Sequence, residues 1–244
     1  MNTKSHTNKN DLIRRVFYGR RQGHKLQPKQ AHLVESFLPS IRITDFAAAP
    51  RRAFTHNNFE PENLVMEIGF GGGEHLAAQA EANINVGFIG CEPFLNGVAK
   101  LLNHIQQHDL LNIRIHDEDA RDLIELMPDS CLAAVYLLYP DPWPKKKHHK
   151  RRFVNPENLH HFHRLLQPDG MFYFASDIPD YVSWALVHIR GHGGFEWQAR
   201  ASADWQTPFA GWVRTRYEEK ALVAGRTPTY LRFQHREHLR PGYL

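Results

Sequence analysis

Cys131-Leu-Ala-Ala-Val-Tyr-Leu-Leu-Tyr-Pro-Asp-Pro-Trp-Pro-Lys-Lys-Lys-His-His-Lys-Arg-Arg152 is the stretch on which the reading of this chain turns. Its first nine residues are a short, continuous apolar run stopped by Pro140, the pattern of a strand buried on both faces of a parallel sheet. Asp141 then falls just past the carboxyl end of that strand, held between Pro140 and Pro142 and followed by Trp143. Ligands of open α/β sheets bind along that rim, which makes Asp141 a candidate site residue; a turn-forming aspartate is the other reading of Asp-Pro. Six Lys/Arg and two His occupy the eight positions after Pro144. Such a run is either a solvated face or a phosphate-binding one.

At 244 residues and 42% hydrophobic, the chain can bury one sizeable core, and 23% charged residues do not describe a disordered chain. The net charge is only +4, but residues 1 to 30 hold eight Lys/Arg against Asp11 alone, and uneven placement matters more for partners than the total. Cys91 and Cys131 lie far apart in expected strands, which disfavours a disulfide framework or a thiolate metal site and fits a reducing cytoplasm. There is no apolar export segment at the start and no run of eighteen apolar residues, so neither secretion nor membrane spanning is expected. Seventeen histidines raise the question of a metal. His148-His149 and His160-His161-His163 show no carboxylate partners at ligand spacing, so no metal is expected.

Residues 1 to 25 read as a basic, flexible arm, a short helix is expected after Pro28, and Ala-Ala-Ala-Pro-Arg-Arg between Phe46 and His56 reads as a linker. Strands are expected at Leu64–Ile68, Val86–Cys91, Asn112–His116 and 131 to 139, with helices at Glu74–Ala82 and Leu95–Gln107 between them. Alternating β and α segments imply a parallel sheet with right-handed crossovers. Asn155-Pro-Glu157 supplies an N-cap, a first-position proline and a first-turn acid for a helix to Leu166. Pro168-Asp-Gly turns into a fifth strand ending near Ser176; a helix follows over 178 to 190, and 195 to 199 and 229 to 234 are candidate last strands.

Glu67-Ile-Gly-Phe-Gly-Gly-Gly-Glu74 joins the first strand to the first helix, and its glycines allow positive φ and close approach of a ligand. A dinucleotide fingerprint starting at Gly69 requires glycine at position 74, where Glu74 stands. A carboxylate there repels a pyrophosphate, so the ligand is read as nucleoside-like without phosphate. S-adenosyl-L-methionine fits: a cationic sulfonium, a zwitterionic amino acid end and a ribose whose two hydroxyls one carboxylate can accept. Glu92, 23 residues after Gly69, is placed for the ribose, near the roughly 20-residue spacing of ribose-binding acids. Asp119 is placed for the adenine end. For either acid alone, a helix cap or solvated loop is the other reading. Four acids, Glu67, Glu92, Asp119 and Asp141, at the ends of four successive strands favour a site.

On these residues the chain resembles the bacterial tRNA (guanine-N7)-methyltransferase family, of the TrmB type, over about residues 60 to 234. The most specific part is Pro140-Asp-Pro-Trp143 with the basic block behind it; Glu67-Ile-Gly-Phe-Gly-Gly-Gly73, Phe88-Ile-Gly-Cys-Glu92, Asp177 and Thr215-Arg-Tyr-Glu218 support it. The resemblance implies an α/β, Rossmann-like class I methyltransferase fold, with a mostly parallel seven-stranded sheet and helices on both faces. The basic arm and short helix would take residues 1 to 57 and the methyltransferase domain residues 58 to 244. It implies transfer of the S-adenosyl-L-methionine methyl to guanine N7 of tRNA, at the variable-loop guanine of tRNA position 46. By it Glu67, Gly69, Gly71, Glu92, Asp119 and Asp141 contact the donor and Asp141 is also the catalytic acid. Lys145, Asp177, Thr215, Arg216, Tyr217 and Glu218 hold the substrate, and Lys147, Lys150, Arg151 and Arg152 touch RNA. A cytoplasmic monomer or homodimer without a metal is expected. Two rivals are an adenine amino-methyltransferase, since Asp-Pro-Trp is similar to loops that hold an exocyclic amine, and a non-catalytic RNA-binding subunit.

Overall fold

The structure, a computed structural model, describes residues 18–43, 50–57 and 59–237. Helices α1 (Pro28–Ser36) and α2 (Leu38–Ile41) and a 3-10 turn, Pro50–Asn57, precede the alternating part. That part runs β1 (Asn63–Ile68), α3 (Glu74–Ala82), β2 (Val86–Cys91), α4 (Leu95–Gln107), β3 (Ile113–His116), α5 (Ala120–Leu126) and β4 (Leu132–Leu138). A second 3-10 turn, Lys146–Arg151, leads to α6 (Pro156–Leu165), β5 (Leu166–Ser176), α7 (Pro179–His192) and β6 (Phe195–Trp197), and the series closes with α8 (Ala203–Gln206), α9 (Arg216–Val223) and β7 (Thr229–His235).

One seven-stranded sheet has the order β3-β2-β1-β4-β5-β7-β6, in which β7 alone runs against its neighbours. The order reverses at β1, and the parallel register pairs Ile68 with both Cys91 and Leu137, which brings the carboxyl ends of β2, β1 and β4 level. A crevice at such a reversal is the ligand rim of doubly wound sheets. The two faces bury separate cores. Leu64, Met66, Ile68, Val135 and Phe172 pack against α5, α6 and α7, while Phe88, Ile113 and Ile115 pack against α3 and α4.

The expected strands and helices of the alternating part are present, most within a residue or two of their expected ends. Asn155 caps α6 by accepting the Asn158 amide at 3.0 Å, with Pro156 first in the helix. Pro168-Asp-Gly does not precede the fifth strand but forms a bulge inside it: Leu132 pairs with Leu166, and the register resumes at Ala134 with Met171. The expected linker is packed where it is described, with Phe54 fully buried under the Arg114 guanidinium, 4.8 Å from its ring; residues 44–49 lie outside the described residues. Leu33, Leu38 and Ile41 of α1 and α2 belong to the same core as α4. Of the expected flexible arm, residues 1–17 lie outside the described residues, and residues 18–25 rest on the start of α4, where the Leu95 amide donates to the Arg21 carbonyl at 2.9 Å. Cys91 and Cys131 are unpaired thiols, and among the described residues no helix is long and apolar enough to cross a membrane.

Candidate active site

The loop leaving β1 turns with Gly69 at φ 73° and Gly71 at φ 59°, left-handed values that side-chain-bearing residues rarely hold. A Cβ on Gly71 would stand 2.8 Å from the Tyr217 ring, while one on Gly69 would meet nothing within 4 Å. The first glycine therefore leaves its backbone open, and Tyr217 covers the second. The Glu92 carboxylate pins this turn, accepting the Gly71 amide at 2.8 Å and the Phe94 amide at 2.9 Å. Burial pushes the Glu92 pKa up to about 7; the two amides pull it down, and the Asp141 and Glu67 charges raise it further.

Past β4 the chain bends sharply at two side-chain-bearing residues in left-handed conformation, Tyr139 (φ 49°) and Trp143 (φ 44°), flanking Asp141. Strain of this kind costs about 1–3 kcal/mol per residue and persists only where surrounding contacts impose it. The contacts here are specific. The Tyr139 amide donates to the Ala175 carbonyl at 2.8 Å, and Arg152 Nε donates to the Pro142 carbonyl at 2.9 Å. Asp141 is exposed on the rim, yet its carboxyl is flanked closely enough that desolvation raises its pKa.

Gly69, Glu92, Asp119, Asp141, Trp143 and Tyr217 line one cavity of about 590 Å³, within the usual range of small-molecule sites. Lys150 and Arg151 reach it from the basic block. Asp119 also caps α5, accepting the Arg121 amide at 3.0 Å and pairing with the Arg121 guanidinium.

Several other expected residues, of which Arg152 also borders the cavity, are held by partners of their own. Glu67 is turned away from the cavity lining: it pairs at 2.8 Å with buried His75, whose ring sits between Tyr136 and Trp212. Thr215 caps α9 by accepting the Glu218 amide at 3.1 Å. Glu218 is buried, its two oxygens taken by Trp212 Nε1 and the Tyr230 hydroxyl at 2.6 Å each. In this arrangement Glu218 fixes α9, which carries Tyr217 onto Gly71. Asp177 pairs with Arg226. Arg152, expected to touch RNA, is fully buried, bonded to Asp180 and flanked by the Tyr181 and Trp184 rings at 4.9 and 5.1 Å. A basic run gives no sign of which cation turns inward. Lys145, Lys147 and Arg216 are exposed.

Tyr18, Gly19 and Arg20 also line the cavity and were not legible in the sequence, since scattered aromatics in a polar arm carry no periodic signal. The sequence reading missed that Glu157 and His161, one turn apart on α6, bring ligand atoms within 4.8 Å of one another and of a Glu125 oxygen, so His161 does have carboxylates at ligand spacing. That group lies outside the cavity lining.

Residues 61–231 match a protein-family model described as "Putative methyltransferase". Proteins named tRNA (guanine-N(7)-)-methyltransferase are similar over most of the chain. That of Mesorhizobium japonicum is 50% identical over 218 residues, 89% of this chain and 94% of that protein. That of Agrobacterium fabrum is 49% identical over 218 residues, with the same coverage. That of Rhizobium johnstonii is 51% identical over 220 residues, 90% of this chain and 94% of that protein. Among solved structures, the 16S rRNA methyltransferase KamB superposes with a TM-score of 0.56 at 15% identity, covering 80% of this chain and 96% of that one, a likeness of fold.

Proposed function

The chain belongs to the tRNA (guanine-N7)-methyltransferase family, and from that premise we propose that it methylates N7 of a guanine in tRNA, with the variable-loop guanine at position 46 as its target and the cytoplasm as its compartment. The observation that carries the proposal is one cavity onto which the glycine turn, Glu92 and Asp141 all open, with the exposed cation Lys150 on its border. The residues fit the donor that the family implies. Gly69 leaves its backbone open, Glu92 offers a carboxylate beside it, and Glu74 at the start of α3 discourages phosphate. S-adenosyl-L-methionine, when bound, supplies a methyl group on a cationic sulfur and leaves as S-adenosyl-L-homocysteine.

Guanine N7 is an in-plane lone pair without a proton, so this chain needs no general base; it needs alignment. Asp141, fixed between two strained residues, orients the base and offsets the positive charge that the purine gains, an electrostatic role set before reaction. Trp143 and Tyr217, both on the cavity, offer faces on which an unstacked base can rest. The exposed Lys145, Lys147, Lys150 and Arg216 attract the phosphate backbone. Radiolabelled methyl transfer to bulk tRNA followed by nucleoside analysis tests the reading. Labelled 7-methylguanosine is expected, and its loss on a transcript with adenine at position 46 would fix the target. A labelled adenosine would replace this reading with an adenine methyltransferase, and no transfer despite donor binding would refute it.

A further inference from the structure

Residues 18 to 25 form a strap across the mouth of the cavity. One end is fastened at the start of α4, on the Glu92 side. Asn96 grips the strap from both directions: its Oδ1 accepts the Gly23 amide at 2.7 Å and its Nδ2 donates to the His24 carbonyl at 2.8 Å. Gly23 lies so close that a Cβ there would stand 2.8 Å from the Phe94 ring. The other end reaches the Asp141 side. The Tyr18 ring meets the Trp143 ring edge-on, centroids 6.2 Å apart at 76°, and the Arg151 guanidinium lies 3.9 Å from the Tyr18 centroid and 5.0 Å from that of Trp143.

Three features give this contact a purpose beyond packing. Tyr18 is 47% exposed, so it adds little to the core and stands at the entrance. Trp143 follows Asp141 by two residues in a strained conformation, so what holds its ring also holds the loop. The cation Arg151 is held against two ring faces, an arrangement that fixes it without cancelling its charge as a carboxylate would. A cation kept in place with its charge intact is what an incoming phosphate or electron-rich base edge requires.

We propose that Tyr18 is a positioning residue for the RNA acceptor, clamping Arg151 against Trp143 at the entrance, and that Asn96 is the anchor that keeps it there. The proposal rests on the methyltransferase reading above. Its test uses the full chain: tRNA affinity and KM, single-turnover methyl transfer, donor affinity by calorimetry and thermal midpoints, for the parent, Tyr18→Ala, Tyr18→Phe and Asn96→Ala. Tyr18→Ala should raise the tRNA Kd and KM about threefold to thirtyfold, the range one cation–π contact supplies. Tyr18→Phe, which keeps the ring, should restore the parent values, and Asn96→Ala should move the same quantities in the same direction by less. Donor affinity and thermal midpoint should hold throughout. Parent-like tRNA affinity in Tyr18→Ala, or Tyr18→Phe as impaired as Tyr18→Ala, overturns the clamp. Donor affinity falling in step with tRNA affinity also overturns it, because the strap would then be a cover for the donor. A parent that binds tRNA but makes no 7-methylguanosine defeats the reaction reading, while the tRNA affinities still decide the clamp.

Discussion

Both oxygens of the Glu92 carboxylate accept backbone amides, while burial raises its pKa to about 7 from an ordinary 4.5. A ribose presents donors that favour the ionised form, so donor binding to the free protein must release the proton that Glu92 holds below neutrality. Donor affinity is therefore expected to rise from pH 6 to pH 8, with proton release detectable by calorimetry in buffers of different ionisation enthalpy. Glu92→Gln should lose that dependence and weaken donor binding by about 1.5–3 kcal/mol, the size of a hydrogen bond to a charged group. A flat pH profile in the parent would remove Glu92 from the donor site. Asp141 behaves differently because N7 carries no proton to remove. Asp141→Asn should slow the single-turnover rate on the order of a hundredfold, with tRNA affinity nearly unchanged. With donor saturating, the parent's rate should decline toward acid as the Asp141 carboxyl, its pKa raised by desolvation, protonates, and Asp141→Asn should lose that decline; an Asn variant with the parent's single-turnover rate would make Asp141 a turn residue. The rim positions of both acids were legible because each follows an apolar strand that ends there. The burial of Glu218 was not, since its partners Trp212 and Tyr230 lie six and twelve residues away with no pattern linking them.

The long periodic elements of the sheet were readable, whereas α5 and α9, of seven and eight residues, were not: short charged helices owe their stability to caps and packing more than to pattern. Their caps are Asp119 and Thr215, the residues that likeness of sequence assigned to ligands, and each fixes a helix bordering the cavity. The basic block shows the same limit. Lys147 and Lys150 point outward, but Arg152 is the inner post of the turn that carries Asp141, tying Pro142 to α7 through Asp180. Arg152→Met should lower stability by about 1.5–3 kcal/mol in urea denaturation, because a charged donor leaves the Pro142 carbonyl and the Asp180 carboxylate. It should leave the dependence of tRNA binding on salt as in the parent. Lys147→Gln with Lys150→Gln should do the reverse, keeping stability and lowering the log–log salt slope by about 0.7–0.9 for each phosphate no longer neutralised. A reduced salt slope in Arg152→Met would return that residue to the RNA interface.

Across the whole molecule, the titrations of buried Glu92 and half-buried His192 oppose each other. Away from the cavity lining, His163 of α6 meets His235 of β7 edge to face, centroids 4.5 Å apart, and His192 of α7 at a tilt, centroids 5.3 Å apart. Burial, and then the neighbouring His163, His160 and His235, pull the His192 pKa down to about 4 from an ordinary 6.5. Between those values the unfolded chain binds a proton that the folded one refuses, so His192 makes stability rise with pH from about 4 to 6.5. Glu92 has the opposite sign: from about 4.5 to 7 the folded protein keeps a proton that the unfolded chain has lost, so stability falls as pH rises through that window. The windows overlap, and in the donor-free parent the two slopes partly cancel. Urea midpoints measured from pH 4.5 to 6.5 should accordingly depart from the parent's slope in opposite directions in the two variants. Glu92→Gln, left with the histidine term, should lose stability steeply toward acid. His192→Gln, which keeps the carboxyl term and loses one histidine term, should gain stability relative to the parent as pH falls. Adding donor should abolish the carboxyl tilt in His192→Gln, since bound ribose favours the ionised Glu92, and should leave the slope of Glu92→Gln unchanged. If both variants keep the parent's slope, neither group titrates between the folded and unfolded states as its burial requires.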